Sequence, residues 1–288
     1  MAKIIAITNQ KGGVGKTTTS VNLSACLAAA EKRTLLIDLD PQGNASSCLG
    51  LDKSIFAAAN IYHVIINEEN FENCIYKTDL PTLDICPSNN DLVGAELELV
   101  HMFAREGKLK IALEAVQDKY DYIIIDCAPS LNLLTVNAFT AAHTYLVPMQ
   151  TEYLAMEGLS QLLNTVKLIR ASLNPRLSLE GILLTMYDSR NNLCKLVAND
   201  LTAHFKDDIL KSIIPRNVKL SECTSFGKPI ILYDITSKGS EAYLSLAREI
   251  ILKSEKKPDA KKAAPTQEKL PLKNSIPKFE DYQVNPQE

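Results

Sequence analysis

The sequence predicts an α/β protein with a doubly wound, mostly parallel sheet and helices on both faces. Two observations support this. Short β-branched runs alternate with helical stretches along the chain, for example KIIAIT at residues 3–8, YDYIIIDC at 120–127 and ILKSIIP at 209–215. Most of these runs are apolar throughout, which is typical of strands that are buried on both faces of a parallel sheet.

The composition divides the chain into two parts. With 288 residues and 46% hydrophobic content, the chain can bury a substantial core. We predict one domain over residues 1–253. From residue 254 onward the chain is rich in Lys, Pro and Glu and poor in aliphatic residues, so it cannot bury enough surface to offset its ordering entropy. Residues 254–288 are therefore expected to be a disordered tail.

Bulk features restrict the compartment and the chemistry. No run of eighteen or more apolar residues occurs, and the first strand begins at Lys3 without a cleavage signal. We therefore expect a cytoplasmic protein without membrane attachment and without an N-terminal DNA-binding extension. The seven cysteines lack metal-site spacing and are interpreted as small buried residues. Because the net charge is -3, any DNA contact must come from a local basic patch.

A glycine-rich loop follows the first strand and opens the first helix, with the sequence NQKGGVGKTT at residues 9–18. The glycines let the backbone curl around an anion, and the helix N-terminus presents free amides and a positive dipole end. Lys16 is expected to reach the β- and γ-phosphates of a nucleotide, and the Thr17 hydroxyl to ligate Mg²⁺. The predicted phosphate-binding residues are Lys11, Gly12, Gly13, Val14, Gly15, Lys16, Thr17 and Thr18.

Carboxylates end two further strands. Asp38 and Asp40 stand at the end of the second strand, and Asp126 ends the run YIIID. Ligands of doubly wound sheets bind at the carboxyl ends of strands, so these groups are candidates for a metal and a water site. The alternatives are a turn stabilised by Asp and Asn side chains, and an Asp that caps the following helix.

The loop resembles the deviant Walker A family, whose KGGxGK[ST] pattern is matched by residues 11–17, with Gln10 where the general pattern has its first Gly. This family includes ParA and Soj partition ATPases, MinD, the nitrogenase iron protein and the arsenite-pump ATPase. Resemblance to the ParA/Soj branch runs to about residue 251, through ALEAVQDKYDYIIIDCAPSLNLLTVNA, GILLTMYDSRNNL and IIPRNVKLSE.

The resemblance implies a slow ATPase that uses ATP and Mg²⁺ and forms an ATP-dependent homodimer. Asp38 would lie near the metal, together with Thr17 and Asp126, and Asp40 would position the attacking water. Lys11 would reach across the dimer interface to the phosphates of the other nucleotide. The adenine wall would be formed by Met186, Pro215, Arg216 and Asn217.

The resemblance also implies DNA binding without sequence preference, through Arg190 and Lys219. They belong to a basic group made of Arg190, Lys195, Lys206, Lys211, Arg216, Lys219 and Lys228. Taken alone, such a group is more often a solvated surface. The implied function is chromosome or plasmid partitioning at the nucleoid with a ParB-like stimulating protein.

Three other functions remain open from the sequence. A ParA relative could position another cargo with the same ATPase residues. A MinD-like membrane-cycling ATPase needs a basic amphipathic helix near its C-terminus, whereas EIILKSEKK at 249–257 has a short apolar face. A P-loop enzyme acting on a small molecule needs substrate-binding groups, and no distinctive set is visible. An iron–sulfur cluster at Cys127 would need a second placed cysteine, and none stands out.

Overall fold

An eight-stranded sheet forms the middle layer of the computed structural model, which describes residues 1–152 and 155–255. The strands are β1 (Lys3–Ile7), β2 (Thr34–Leu39), β3 (Tyr76–Lys77), β4 (Leu83–Cys86), β5 (Tyr122–Cys127), β6 (Thr144–Gln150), β7 (Ser178–Tyr187) and β8 (Ile209–Pro215). Their order is β3-β4-β2-β5-β1-β6-β7-β8, and only the β3–β4 pair is antiparallel. The predicted fold class is confirmed.

Helices cover both faces of this sheet. They are α1 (Lys16–Ala29), α2 (Asn44–Cys48), α3 (Ile61–Ile66), α4 (Leu92–Leu99), α5 (Lys108–Leu113), α6 (Leu133–Ala141), α7 (Ala155–Ser172), α8 (Asn192–Phe205), α9 (Val218–Ser225), α10 (Ile230–Tyr233) and α11 (Lys238–Glu255). Apolar residues at helical spacing over 152–173 predict one long amphipathic helix, and α7 spans most of this stretch. Residues 52–106 form short helices, the edge strand β3 and its neighbour β4.

Two apolar layers lie on opposite faces of the sheet because neighbouring strand residues point in opposite directions. In β1, Ile4 and Ala6 belong to the layer beneath α3 to α8. Ile5 and Ile7 belong to the layer beneath α1, α2 and α9 to α11. Burial on both faces explains why the central strands β1, β2, β5 and β6 lack polar alternation, whereas the edge strand β8 alternates buried and exposed residues.

The C-terminal part of the described chain ends with α11. Ser254 and Glu255, the first residues of the predicted tail, form the end of this helix, and Lys3 Nζ donates to Ser254 Oγ at 3.0 Å. Residues 256–288, on which the tail prediction rests, lie outside the described residues.

Helices α2 and α9 meet through their backbones where each ends. Gly50 and Gly227 both have left-handed conformations, with φ of 74° and 61°. A Cβ on Gly227 would lie 2.7 Å from Gly50 Cα, and a Cβ on Gly50 would lie 3.0 Å from Gly227 O. Both positions therefore require glycine.

Candidate nucleotide-binding site

The carboxyl ends of the central strands meet at one edge of the sheet, because the strands are parallel. The register places Ile7 and Asp38 each beside Asp126. The loop after β1 therefore lies between the ends of its neighbours, and a cleft of about 630 Å³ opens there. It is lined by Gly12, Gly13, Gly15, Lys16, Thr17, Thr18, Asp40, Pro41, Gln42, Asn44, Val93, Glu96, Pro129 and Met186.

The loop has the backbone that phosphate binding requires. Gly13 and Gly15 have φ values of 75° and 86°, a left-handed region in which a Cβ is strained. Helix α1 then begins at Lys16, and its first residues line the cleft. Because its first turn contains no acidic residue, the positive end of the helix dipole is not compensated there. Lys16 Nζ reaches back over the loop to the carbonyl of Lys11, at 3.0 Å. Burial lowers the pKa of Lys16, and the negative charge of Asp126 opposes this effect.

Two fully buried carboxylates lie on the neighbouring strands β2 and β5, behind the residues that line the cleft. Asp38 Oδ2 accepts hydrogen bonds from the Ser46 amide at 2.9 Å and the Ser46 hydroxyl at 2.7 Å. Asp126 Oδ1 accepts one from Ser20 Oγ at 2.8 Å. Asp126 Oδ2 is buried and has no hydrogen-bond partner among the described residues.

The pKa values of both carboxylates are raised. Burial raises the pKa of Asp38, and the Ser46 hydrogen bonds oppose the shift. Burial together with the negative charge of Asp38 raises the pKa of Asp126, against the influence of the nearby Thr17 and Ser20 hydroxyls. A divalent cation would relieve this repulsion, and hard oxygen donors suit Mg²⁺. The residues present, Thr17, Asp38 and Asp126, therefore fit the predicted metal site.

Asp40 is placed differently from Asp38. Its Oδ1 accepts from the Gln42 amide at 2.9 Å, and the residue lies in the wall of the cleft rather than behind it. Opposite it, Val93 and Glu96 of α4 close the cleft, with Asn132 Nδ2 donating to Glu96 Oε1. No pattern in the sequence predicts this α4 wall.

A smaller cavity of about 110 Å³ adjoins the cleft and shares Gly15, Thr18 and Met186 with it. It is lined by Gly15, Thr18, Thr185, Met186, Ile214, Pro215, Arg216, Asn217, Leu220, Ser221 and Tyr243. The four residues predicted for the adenine wall all lie here. Met186 has φ 50°, and Asn217 Oδ1 accepts from the Lys219 amide at 2.8 Å as the N-cap of α9.

The outer side of the loop is held by the end of β6 and the two residues beyond it. Asn9 Nδ2 donates to Pro148 O at 2.8 Å, and Gln150 Nε2 donates to Gly13 O at 3.2 Å. Beyond the strand, Glu152 forms an ion pair with the Lys11 ammonium. The sequence analysis predicted none of these three contacts.

The two predicted DNA-binding residues lie outside the cleft, and each is paired with an acidic neighbour. Arg190 Nε and Nη2 donate to the Asp188 carboxylate at 3.0 and 2.8 Å. Lys219 Nζ pairs with Glu222 at 2.8 Å and lies 5.8 Å from the centre of the Tyr233 ring. Arg190 lies in the loop after β7, and Lys219 lies in the first turn of α9, which follows the adjacent strand β8.

A phosphate loop facing two strand-end carboxylates in a doubly wound sheet defines a P-loop nucleotide-binding protein. A family model described as an AAA domain matches residues 2–179. The chain is 56% identical to the sporulation initiation inhibitor protein Soj of Bacillus subtilis over 250 residues, covering 87% of this chain and 98% of that protein. It is 52% identical to the chromosome partitioning protein ParA of Myxococcus xanthus, covering 92% and 93%. The chain belongs to the ParA/Soj family of partition ATPases.

Solved structures agree with this class. Cobyrinic acid a,c-diamide synthase from Mycobacterium smegmatis, with bound ADP and magnesium, superposes with a TM-score of 0.78 at 36% identity, covering 89% of this chain and 96% of that one. The expectation of ATP and Mg²⁺ agrees with these ligands. Within the described parts of the chain, no helix has both the length and the apolar character to cross a membrane.

Proposed function

We propose that this protein is an ATPase that dimerises when it binds ATP, binds DNA without sequence preference, and partitions chromosomes or plasmids with a ParB-like stimulating protein. One observation carries the proposal. The KGGVGKT loop and Asp40 line a single cleft, and the paired strand residues Asp38 and Asp126 are buried beside the first helix, in a chain 56% identical to Soj. Its action would then be nucleoid-associated.

The cleft supports nucleotide binding by distinct groups. The backbone amides of the loop, at Gly12, Gly13, Val14 and Gly15, would surround the phosphates. Lys16 would neutralise the charge of the β- and γ-phosphates. Thr18, which lines both the cleft and the smaller cavity, would contact the nucleotide between them. Thr17, Asp38 and Asp126 would hold Mg²⁺, which neutralises phosphate oxygens when bound. Met186 and the 215–217 loop would enclose the adenine.

Hydrolysis would rest on positioning. Asp40 lies in the cleft wall, where its carboxylate can orient a water toward the terminal phosphate. A carboxylate is a weak base, which supports slow turnover that a partner protein stimulates. Lys11 lies on the exposed outer side of the loop, from which it can reach a second subunit. A cation supplied by that subunit stabilises phosphoryl charge only in the dimer.

DNA retention would follow from dimerisation. Arg190 and Lys219 are exposed, so a dimer presents each of them twice. Two linked sites retain a polyanion far better than one, and the binding becomes steeply dependent on salt. ATP would therefore control DNA binding by controlling the number of linked sites.

Three variants test the proposal. Lys16→Ala should abolish ATP binding or hydrolysis, since the phosphates lose their main counter-ion. Asp40→Ala should bind ATP and accumulate as a dimer without hydrolysis. Lys11→Ala should bind ATP as a monomer and lose most of its duplex DNA binding. Light scattering and DNA co-sedimentation with ATP measure these outcomes, and a Lys11→Ala protein that dimerises and binds DNA normally contradicts the shared-nucleotide dimer.

A second candidate function, modification of a small molecule, is favoured by the 36% identity to the M. smegmatis synthase. The higher identity to Soj and ParA favours partitioning. The two functions differ in one simple assay. A partition ATPase retains duplex DNA in the presence of ATP and loses it with ADP, whereas an enzyme of small-molecule metabolism has no such dependence.

A further inference from the structure

The Lys11 ammonium is already engaged within its own subunit. Its partner, Glu152, comes two residues after the end of β6 and lies 141 positions away in sequence. Both side chains are about half exposed, at 42% and 50%, so the pair lies on the surface of the loop rather than in the core. Gln150 and Asn9 fix the backbone on either side, which leaves the Lys11 side chain as the movable group.

This ion pair competes with the role proposed for Lys11. An ammonium that is held by a carboxylate of its own subunit must leave that carboxylate before it can contact phosphates in another subunit. The loop backbone need not move, because Gln150 and Asn9 hold it independently of Glu152. The exchange therefore involves one flexible side chain, and polyphosphate is the stronger competitor because it carries several negative charges.

We propose that Glu152 is a positioning residue that retains Lys11 in the monomer. It thereby sets the concentration of nucleotide-bound protein at which two subunits associate. The proposal rests on the function proposed above, in which Lys11 acts across the dimer. Glu152 is not among the residues that line the cleft, and its carboxylate pairs with the Lys11 ammonium. It acts through Lys11 alone, by raising the concentration threshold for dimerisation.

The expected size of the effect follows from the exposure of the pair. An exposed ion pair changes an equilibrium by a factor of about 1.4 to 5. Because a symmetric dimer breaks two such pairs, removing them should tighten dimerisation by about 2-fold to 30-fold. The effect should disappear at high salt, where exposed pairs are screened.

The test compares Glu152→Gln with wild type in the full-length protein. Dimer dissociation constants are measured by light scattering or analytical ultracentrifugation with saturating AMPPNP and Mg²⁺, at low and high salt. Glu152→Gln should dimerise about 2-fold to 30-fold more tightly, whereas Glu152→Asp, which keeps the charge, should lie nearer to wild type. AMPPNP affinity of the dilute monomer should not change, and the thermal midpoint should fall by no more than about 4 °C, as expected for the loss of one exposed ion pair.

Two control variants separate this effect from general charge loss. Glu72→Gln breaks an ion pair of similar exposure with Lys119, away from the cleft. Glu157→Gln removes a charge from the first turn of α7, five residues after Glu152. Both should dimerise as wild type does. Equally tight dimerisation of Glu157→Gln would contradict the proposal, because it would show that the negative charge around Glu152 weakens dimerisation without the contact with Lys11.

The outcomes distinguish this proposal from the function on which it rests. If Lys11→Ala fails to dimerise and Glu152→Gln matches wild type, the retaining role is wrong while the shared-nucleotide dimer stands. If Glu152→Gln binds AMPPNP more weakly and dimerises less, Glu152 supports the loop and the proposal is also wrong. If Lys11→Ala dimerises normally, both proposals fall together.

Discussion

Replacing Arg190 should reveal the DNA-binding face through the salt dependence of binding. The Arg190 side chain is 88% exposed, and its guanidinium forms two hydrogen bonds with Asp188. Each phosphate contact contributes about 0.9 to the slope of log affinity against log salt. A dimer of Arg190→Ala loses two contacts, so its slope should be shallower by about 1.8. Between 50 and 200 mM salt, this corresponds to a difference of about 12-fold in the loss of affinity.

The neighbouring carboxylate provides the complementary variant. Asp188→Asn removes the competitor for Arg190, so affinity should rise by about 2-fold to 30-fold per dimer with the slope unchanged. Arg190 also holds the pKa of Asp188 down at about 2. In Arg190→Ala this pKa should return toward the ordinary value of about 3.9, which NMR titration measures without DNA. This titration therefore tests for the Arg190–Asp188 ion pair independently of any effect on DNA binding.

The assay is fluorescence anisotropy on a short duplex over a salt series, with AMPPNP and Mg²⁺. Arg176→Ala is the matched control, because Arg176 is exposed and lies just before β7, at the opposite edge of the sheet. Its slope should equal that of wild type. An unchanged slope for Arg190→Ala, with dimerisation intact, would refute the assignment of Arg190 to phosphate contact.

Two further predictions concern the cleft. Gly43→Ala should lower the thermal midpoint and reduce the free energy of unfolding by about 1–3 kcal/mol, because φ is 64° and a Cβ would lie 2.7 Å from Ser88 O. Gly12→Ala should change neither quantity, because a Cβ there would meet no atom within 4 Å. The raised pKa values of Asp38 and Asp126 mean that the folded state binds more protons, so stability without metal should fall as the pH rises from 5 to 8. Mg²⁺ should raise the thermal midpoint more at pH 8 than at pH 5, and an equal rise would contradict the metal assignment.

The sequence was sufficient for the fold and for the carboxylates behind the cleft, because both depend on local patterns. Apolar strands separated by helices specify a parallel sheet, and parallel strands bring Asp38 and Asp126 to one edge. The Ser20 contact could also have been predicted, since Ser20 lies one helical turn after Lys16 and faces the same side. The role expected for each residue stays a prediction.

The remaining walls could not be predicted, because tertiary packing determines them. Glu96 enters the cleft through the placement of α4, and no spacing in the sequence links that helix to the loop. The partner of Lys11 is 141 residues away, and the carboxylate that engages Arg190 looks like an ordinary surface residue in the sequence. Charge clusters likewise show which cations are present, but they do not show which of them are already neutralised.

The contact between Gly50 and Gly227 joins the ends of α2 and α9 through their backbones. Helix α2 begins four residues after Asp40, while α9 carries Lys219 and borders the smaller cavity. With backbone against backbone, no rotamer change can absorb a displacement of either helix. The helix that follows the Asp40 segment and the helix that carries Lys219 are therefore held against each other through backbone atoms. Alanine at either glycine would therefore force the ends of α2 and α9 apart.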